Sequence, residues 1–240
     1  MLRIDSESWG AFEEDLREFF DQSPIERRRF VFRGQADASW GLDSTVQRIA
    51  RKQPGLNITS FSRRLIEEFQ TESAKASVDV PAFDHDEAWG LLARHHSLPS
   101  DILDWTRSPY VAQFFAASDE IHAGPNPPAR SAIWGLDLGV LDKNLFEAFH
   151  PFSVIERPSL VPRNPRASEQ QSVFLRVAPD WERHIGHDLV RWTFPAKDRH
   201  RVLVRLESMG ITHASLMRTL DAAATTAMWR AAKLERNNDE

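Results

Sequence analysis

Apolar residues in this chain repeat first with a helical period and only afterwards, irregularly, with a strand period. Between Ser6 and Gln22, the residues Trp9, Phe12, Leu16 and Phe19 or Phe20 fall on one helical face, with acids in the first turns. Phe30 to Phe32 is a short apolar run of strand type. Ser60 to Ser77 returns to the helical pattern through Phe61, Leu65 and Phe69, and Asp84 is placed to cap a helix running through Trp89, Leu91 and Leu92 toward His96. Pro109 suits a first helical turn, and YVAQFFAASDEI after it is helical in pattern. Ser131 to Leu138 and Ser172 to Val177 alternate as strands, Arg191 to Pro195 reads as a third or an edge strand, and Thr212 to Leu234 as an alanine-rich helix. SDILDWTRS, between Pro99 and Pro109, and Gly124 to Pro128 read as loops. Helices, one strand, more helices and then scattered strands exclude a regular βαβ alternation, so the expected class is α+β.

With 240 residues and no internal repeat or linker, the chain can bury one generous core, and a single domain is expected. The absence of cysteine excludes disulfides, thiolate zinc sites and a cysteine nucleophile. No apolar run approaches the roughly 20 residues that span a bilayer, and MLRIDSESWG has no signal-peptide core. The expectation is therefore a cytoplasmic protein with no membrane partner. A net charge of -5 argues against a dedicated nucleic-acid binder, although Arg27-Arg28-Arg29 or Arg48, Arg51 and Lys52 could form a local basic patch or a solvated face. Tryptophan outnumbers tyrosine eight to one, and several tryptophans adjoin polar motifs, where an indole can stack on a flat ligand.

Three stretches concentrate polar chemistry. In the first, the strand Phe30 to Phe32 ends on Arg33-Gly34-Gln35. A guanidinium there either makes a surface salt bridge or grips phosphate or carboxylate through paired hydrogen bonds, with Gly34 leaving the ligand room and Gln35 orienting it. The second is Leu91 to Ala117, which gathers His95, His96, Asp101, Asp104, Trp105, Thr106 and Ser108 around two prolines. Adjacent histidines diverge by about 100° on a helix, so joint metal ligation by His95 and His96 is not expected. Asp104 either caps the Pro109 turn, orients an arginine or does acid–base work; Trp105 is either core or a stacking surface. The third, Arg163 to Val177, puts Glu169, Gln170 and Gln171 before a strand, where Glu169 and Gln171 would point the same way if extended. They could equally form a plain polar turn. No Gly-rich phosphate loop, HExxH, GxSxG or paired-carboxylate motif is present.

These stretches resemble the FRG domain family, through Phe32-Arg33-Gly34, Trp40-Gly41-Leu42 with Arg48, HHSLPSDILDWTRSPYVAQFFA, the PR…QQSVF segment and LESMGITHASLMRTL. The resemblance implies a division into an N-terminal helix (1–24), an FRG domain (25–222) and a C-terminal helix with a polar tail (223–240). More distantly, the order of Phe32-Arg33-Gly34, Trp105-Thr106-Arg107-Ser108 and Glu169-Gln170-Gln171 is similar to the arginine, Ser-Thr-Ser and Glu-x-Glu elements of R-S-E class mono-ADP-ribosyltransferases. That resemblance implies a split β-sheet core with helices around it, NAD as substrate, and Arg33, Thr106, Glu169 and Gln171 as the catalytic set. Ligand-binding roles would fall to Arg33, Gln35, Arg48, His95, Asp104, Trp105, Ser108 and Gln170, with Trp105 stacking on nicotinamide. The chain departs from the pattern where the catalytic glutamate would stand, at Gln171, which can hydrogen-bond a ribose but supplies no charge.

Three readings follow. The first is an NAD-consuming enzyme that transfers ADP-ribose to a protein, nucleic acid or water, as a bacterial toxin or phage-defence effector with a neutralising partner would. The second is a non-catalytic ligand- or protein-binding module. The third is a nucleotide-processing hydrolase using His95 or His96 with Asp104.

Overall fold

The computed structural model describes residues 1–21, 29–76, 86–118, 128–139, 152–155, 165–179, 181–186 and 188–238. Its centre is a seven-stranded sheet formed by β1 (Leu2–Asp5), β2 (Phe30–Gln35), β3 (Ile102–Thr106), β4 (Arg130–Asp137), β5 (Phe152–Ile155), β6 (Ser172–Val177) and β7 (Leu189–Pro195). The order across the sheet is β1-β7-β4-β2-β3-β6-β5. The β1–β7 pair is parallel and every other neighbouring pair is antiparallel. Helices α1 (Trp9–Asp21), α2 (Thr45–Lys52), α3 (Ile58–Ser73), α4 (Asp86–His95), α5 (Pro109–Ala117), α6 (Pro165–Glu169), α7 (Arg199–Ser208), α8 (His213–Met217) and α9 (Leu220–Asn238) complete a mixed α and β architecture.

The sheet has a seam. β2 pairs with β4 over six residues, but with β3 at a single position, Phe32 opposite Thr106. On one face, Phe12 and Leu16 of α1, Val111 and Phe114 of α5, and Val202 and Leu206 of α7 bury against Phe32, Ile133, Trp192 and Phe194. On the other, Val31, Trp134 and Leu136 from one side of the seam share a cluster with Leu103, Trp105, Val173 and Leu175 from the other, closed by Trp181. That shared apolar layer ties the two half-sheets together where hydrogen bonds do not.

Helix α5 lies directly on the seam. Ser108 caps it, its hydroxyl accepting from the Val111 amide at 3.3 Å, and Pro109 occupies the first turn. Its approach to β2 is so close that a Cβ on Gly34 would stand 1.9 Å from the Ala112 carbonyl oxygen and 2.7 Å from the Ala116 nitrogen. Gly34 is therefore required by helix–sheet packing, a role the sequence reading did not include, and it also borders the cavity described below.

Several elements differ from the sequence reading. SDILDWTRS is not a loop: Ile102 to Thr106 is an internal strand whose Ile102, Leu103 and Trp105 are buried. The segment Arg191 to Pro195 belongs to an internal strand between β1 and β4, not an edge. The tail is not one helix, because Arg218 adopts a left-handed conformation (φ 54°) between α8 and α9. Glu169 ends α6, and Gln171 turns at φ 47° before β6, so the two do not form the extended pair expected. Asp84 and residues 124–127 lie outside the described residues.

Candidate functional site: a cleft at the sheet seam

Where β2 and β3 diverge, a cavity of about 770 Å³ opens, within the range typical of small-molecule sites. Arg33 reaches across the gap, its Nη1 donating to the Asp104 carbonyl oxygen at 2.6 Å. Its Nε is buried and has no hydrogen-bond partner among the described residues. Burial pulls the Arg33 pKa down to about 10, Asp104 opposing and Arg94 and Arg48 adding to the effect. The group remains a cation at neutral pH, with donor capacity to spare.

Asp104 organises this end of the cleft. Its carboxylate receives both arms of Arg94 from α4, Nε at 2.7 Å and Nη2 in a shorter bond. Burial raises the carboxyl pKa, but the hydrogen bonds and charge of Arg94, with Arg33 and Arg166 behind, outweigh that and hold it below the ordinary value. Of the roles considered for Asp104, the structure shows the orienting of an arginine, while the Pro109 turn is capped by Ser108.

Three arginines line the cavity: Arg33, Arg48 and Arg166. Arg48 donates to the Asp43 carbonyl at 2.8 Å and to Thr45 Oγ1 at 3.2 Å. The two lining carboxylates are both engaged by other cations, Asp104 by Arg94 and Asp43 by Arg51 at 2.7 Å. The cavity thus carries surplus positive charge, which is the electrostatic signature of an anion site. Gln35 is fixed from both ends, donating to the Gly41 carbonyl at 2.9 Å and accepting from Trp134 Nε1 at 2.7 Å. His213 also lines the cavity, against Phe114, and burial lowers its pKa.

The other expected residues divide sharply. Thr106 is buried with its hydroxyl fully used, donating to the Gln170 carbonyl at 2.6 Å and accepting from the Ser108 amide at 3.0 Å. It braces the β3–α6 junction, and Ser108 braces α5. Trp105 is 2% exposed and packs edge-on to Trp181, so of its two readings the structure shows the core one, although the residue also borders the cavity. Gln170 borders the cavity while its amide donates to the Leu216 carbonyl at 3.2 Å. Glu169 points outward to an ion pair with Arg218, and Gln171 is exposed; neither is among the residues lining the cavity.

His95 lies in a smaller compartment of about 350 Å³ that shares Asp104, Arg166, Gln170 and Ser172 with the main cavity. Burial, His96 and Arg166 lower its pKa. Sequence reasoning missed Arg166, Trp40 and His213 as lining residues. The only available signal was the recurrence of basic and aromatic residues in the segments that resemble the family. Among the described residues no three His, Asp or Glu side chains gather to hold a metal ion, and no helix is long and apolar enough to cross a membrane.

Comparison with known families adds one match. Residues 28–124 fit the model of the FRG domain. The chain contains an FRG domain. The matched stretch runs from the strand bearing Arg33 past helix α5, and so includes both sides of the seam and most of the cleft; Arg166 and Gln170 lie beyond it. No curated protein and no solved structure matches the chain.

Proposed function

We propose that the FRG cleft binds NAD or a related nucleotide and supports ADP-ribosyl transfer or NAD hydrolysis, with a protein, nucleic acid or water as acceptor. The observation that carries the reading is the set of Arg33, Arg48 and Arg166 facing one cavity, none of them ion-paired with a carboxylate among the described residues. A pyrophosphate offers the matching charge, and guanidinium groups can bind it through paired hydrogen bonds. The seam between half-sheets is compatible with a split-sheet, ADP-ribosyltransferase-like core. In this reading Arg33 holds the phosphate, Asp104 holds Arg94 and, through its carbonyl, Arg33, and Thr106 keeps β3 and the Gln170 turn together. An effector that depletes or transfers from NAD would suit a toxin or phage-defence role with a neutralising partner.

A second reading, a binding module without turnover, is favoured by one observation: Glu169 and Gln171 lie away from the cavity, and the carboxylates inside it are already paired. Without a free anion near the reacting ribose, the positive charge that develops as the glycosidic bond breaks goes unstabilised.

One experiment addresses both. Wild type and Arg33→Ala are titrated with NAD while thermal stability and nicotinamide release are recorded together. A stabilisation lost in the variant, with nicotinamide appearing, supports the enzyme reading. Stabilisation without nicotinamide favours the binding module, and no response to saturating NAD refutes the nucleotide reading.

A further inference from the structure

Trp40 lines the cavity and is 51% exposed, although it is one of the largest apolar side chains in the protein. Leu42, two residues on, is fully buried, so the segment is not simply a solvent-facing loop. Its backbone is pinned on both sides of the indole. Before it, the Ala38 amide donates to the Arg130 carbonyl at 2.9 Å, and the carbonyls of Ala36 and Ala38 accept from Arg199 and Arg191. At the turn, the Ser39 amide donates to Asp37 Oδ1 at 2.7 Å and the Trp40 amide to the Asp37 carbonyl at 3.2 Å. After it, the Gly41 carbonyl accepts from Gln35 and the Leu42 carbonyl from Trp181 Nε1 at 3.2 Å.

A large aromatic surface held at a cavity wall by a fixed backbone is pre-organised for stacking, because little conformational freedom remains to be lost on binding. We infer that Trp40 is the stacking platform for the heteroaromatic base of a nucleotide whose phosphates lie on Arg33, Arg48 and Arg166. The residue thereby divides the cleft into a ring end and a charged end, and it sets a preference for base-bearing ligands over bare polyphosphate. This assignment rests on the nucleotide reading of the cleft given above.

The test is calorimetric titration of four proteins (wild type, Trp40→Ala, Trp40→Phe and Arg33→Ala) with NAD, ADP-ribose, nicotinamide mononucleotide and inorganic pyrophosphate. Stacking on an aromatic side chain corresponds to a loss of about 5- to 150-fold on alanine substitution. Trp40→Ala should lose affinity in that range for NAD and for one of ADP-ribose and nicotinamide mononucleotide, Trp40→Phe should retain most of it, and pyrophosphate should bind wild type and Trp40→Ala alike. ADP-ribose and nicotinamide mononucleotide identify the base: the ligand that loses affinity carries the stacked ring. The indole is half-exposed, so both variants should fold, and their unfolding midpoints should match wild type. If NAD binds Trp40→Ala as tightly as wild type while Arg33→Ala loses it, the platform is refuted and the nucleotide cleft stands. If wild type binds none of the four probes, both are refuted.

Discussion

Replacing Gly34 by alanine separates the packing role of this glycine from a role in ligand access. The added Cβ would meet the Ala112 carbonyl oxygen at 1.9 Å and the Ala116 nitrogen at 2.7 Å. Both are backbone atoms of α5, so no flexible side-chain end can swing away. The helix itself is held on its far side by α7 and capped at Ser108, which leaves displacement of the whole element as the way to relieve the clash. Overpacking a core typically costs about 1–3 kcal/mol and sometimes more. With backbone on both contacts, the upper end applies, and about 3 kcal/mol corresponds to a fall in melting temperature of about 6–12 °C for a domain of this size. The assay is thermal unfolding followed by circular dichroism, with urea unfolding to check that the slope is unchanged. A Gly34→Ala protein melting within about 2 °C of wild type would refute the packing argument. Retained stability with lost ligand binding would restore the ligand-access role.

Three further outcomes are expected. Asp104→Asn removes the charge that Arg94 grips from both sides, so the variant should be less stable at neutral pH. Because the folded state holds the Asp104 carboxyl below its ordinary pKa, its contribution is present above the unfolded value and disappears as pH falls through the folded one. The stability gap between wild type and variant should therefore narrow below about pH 4, measured as melting temperature against pH; a gap independent of pH would sink the ion-pair account. Glu169→Gln breaks an exposed pair with Arg218 and should change stability by less than about 1 kcal/mol and leave ligand affinity as in wild type; loss of turnover in this variant would instead place Glu169 in the chemistry. Trp105→Ala opens a hole beneath the cleft and should cost about 3–5 kcal/mol in urea unfolding, a loss inconsistent with a solvent-facing stacking residue.

The sequence was most legible where periodicity and burial agree. The face of α1 formed by Phe12 and Leu16, the apolar helix after Pro109 and the strand ending in Arg33 all follow from patterns internal to short segments. Strand β3 was hidden because Asp104 interrupts an apolar run, and the partner that makes a charge acceptable there, Arg94, is ten residues away on another element. Its flanking prolines also read as loop punctuation. Helix α2 had a readable signal, since Ser44 and Gln47 form a capping box, each side chain satisfying the other's backbone amide. The cleft was only half visible: Arg33, Gln35, Arg48 and Asp104 were in view, but Arg166 joins them through a turn whose position depends on the whole sheet order. Of the two readings of Glu169 and Gln171 the polar turn is the one seen, because a helix end and a left-handed residue occupy the place where an extended strand start would have aligned them.

The single pair between β2 and β3 has a mechanical consequence. An apolar layer containing Trp105 and Trp134 spans the seam, and the cavity opens in the same gap, bordered by Trp105 and Arg33 and by Phe115 at the end of α5. The two half-sheets are thus bound like the covers of a book along that layer, and the sheet's compliance is concentrated at its fold. A ligand lodged between Arg33 and the β3 side would brace the covers from within.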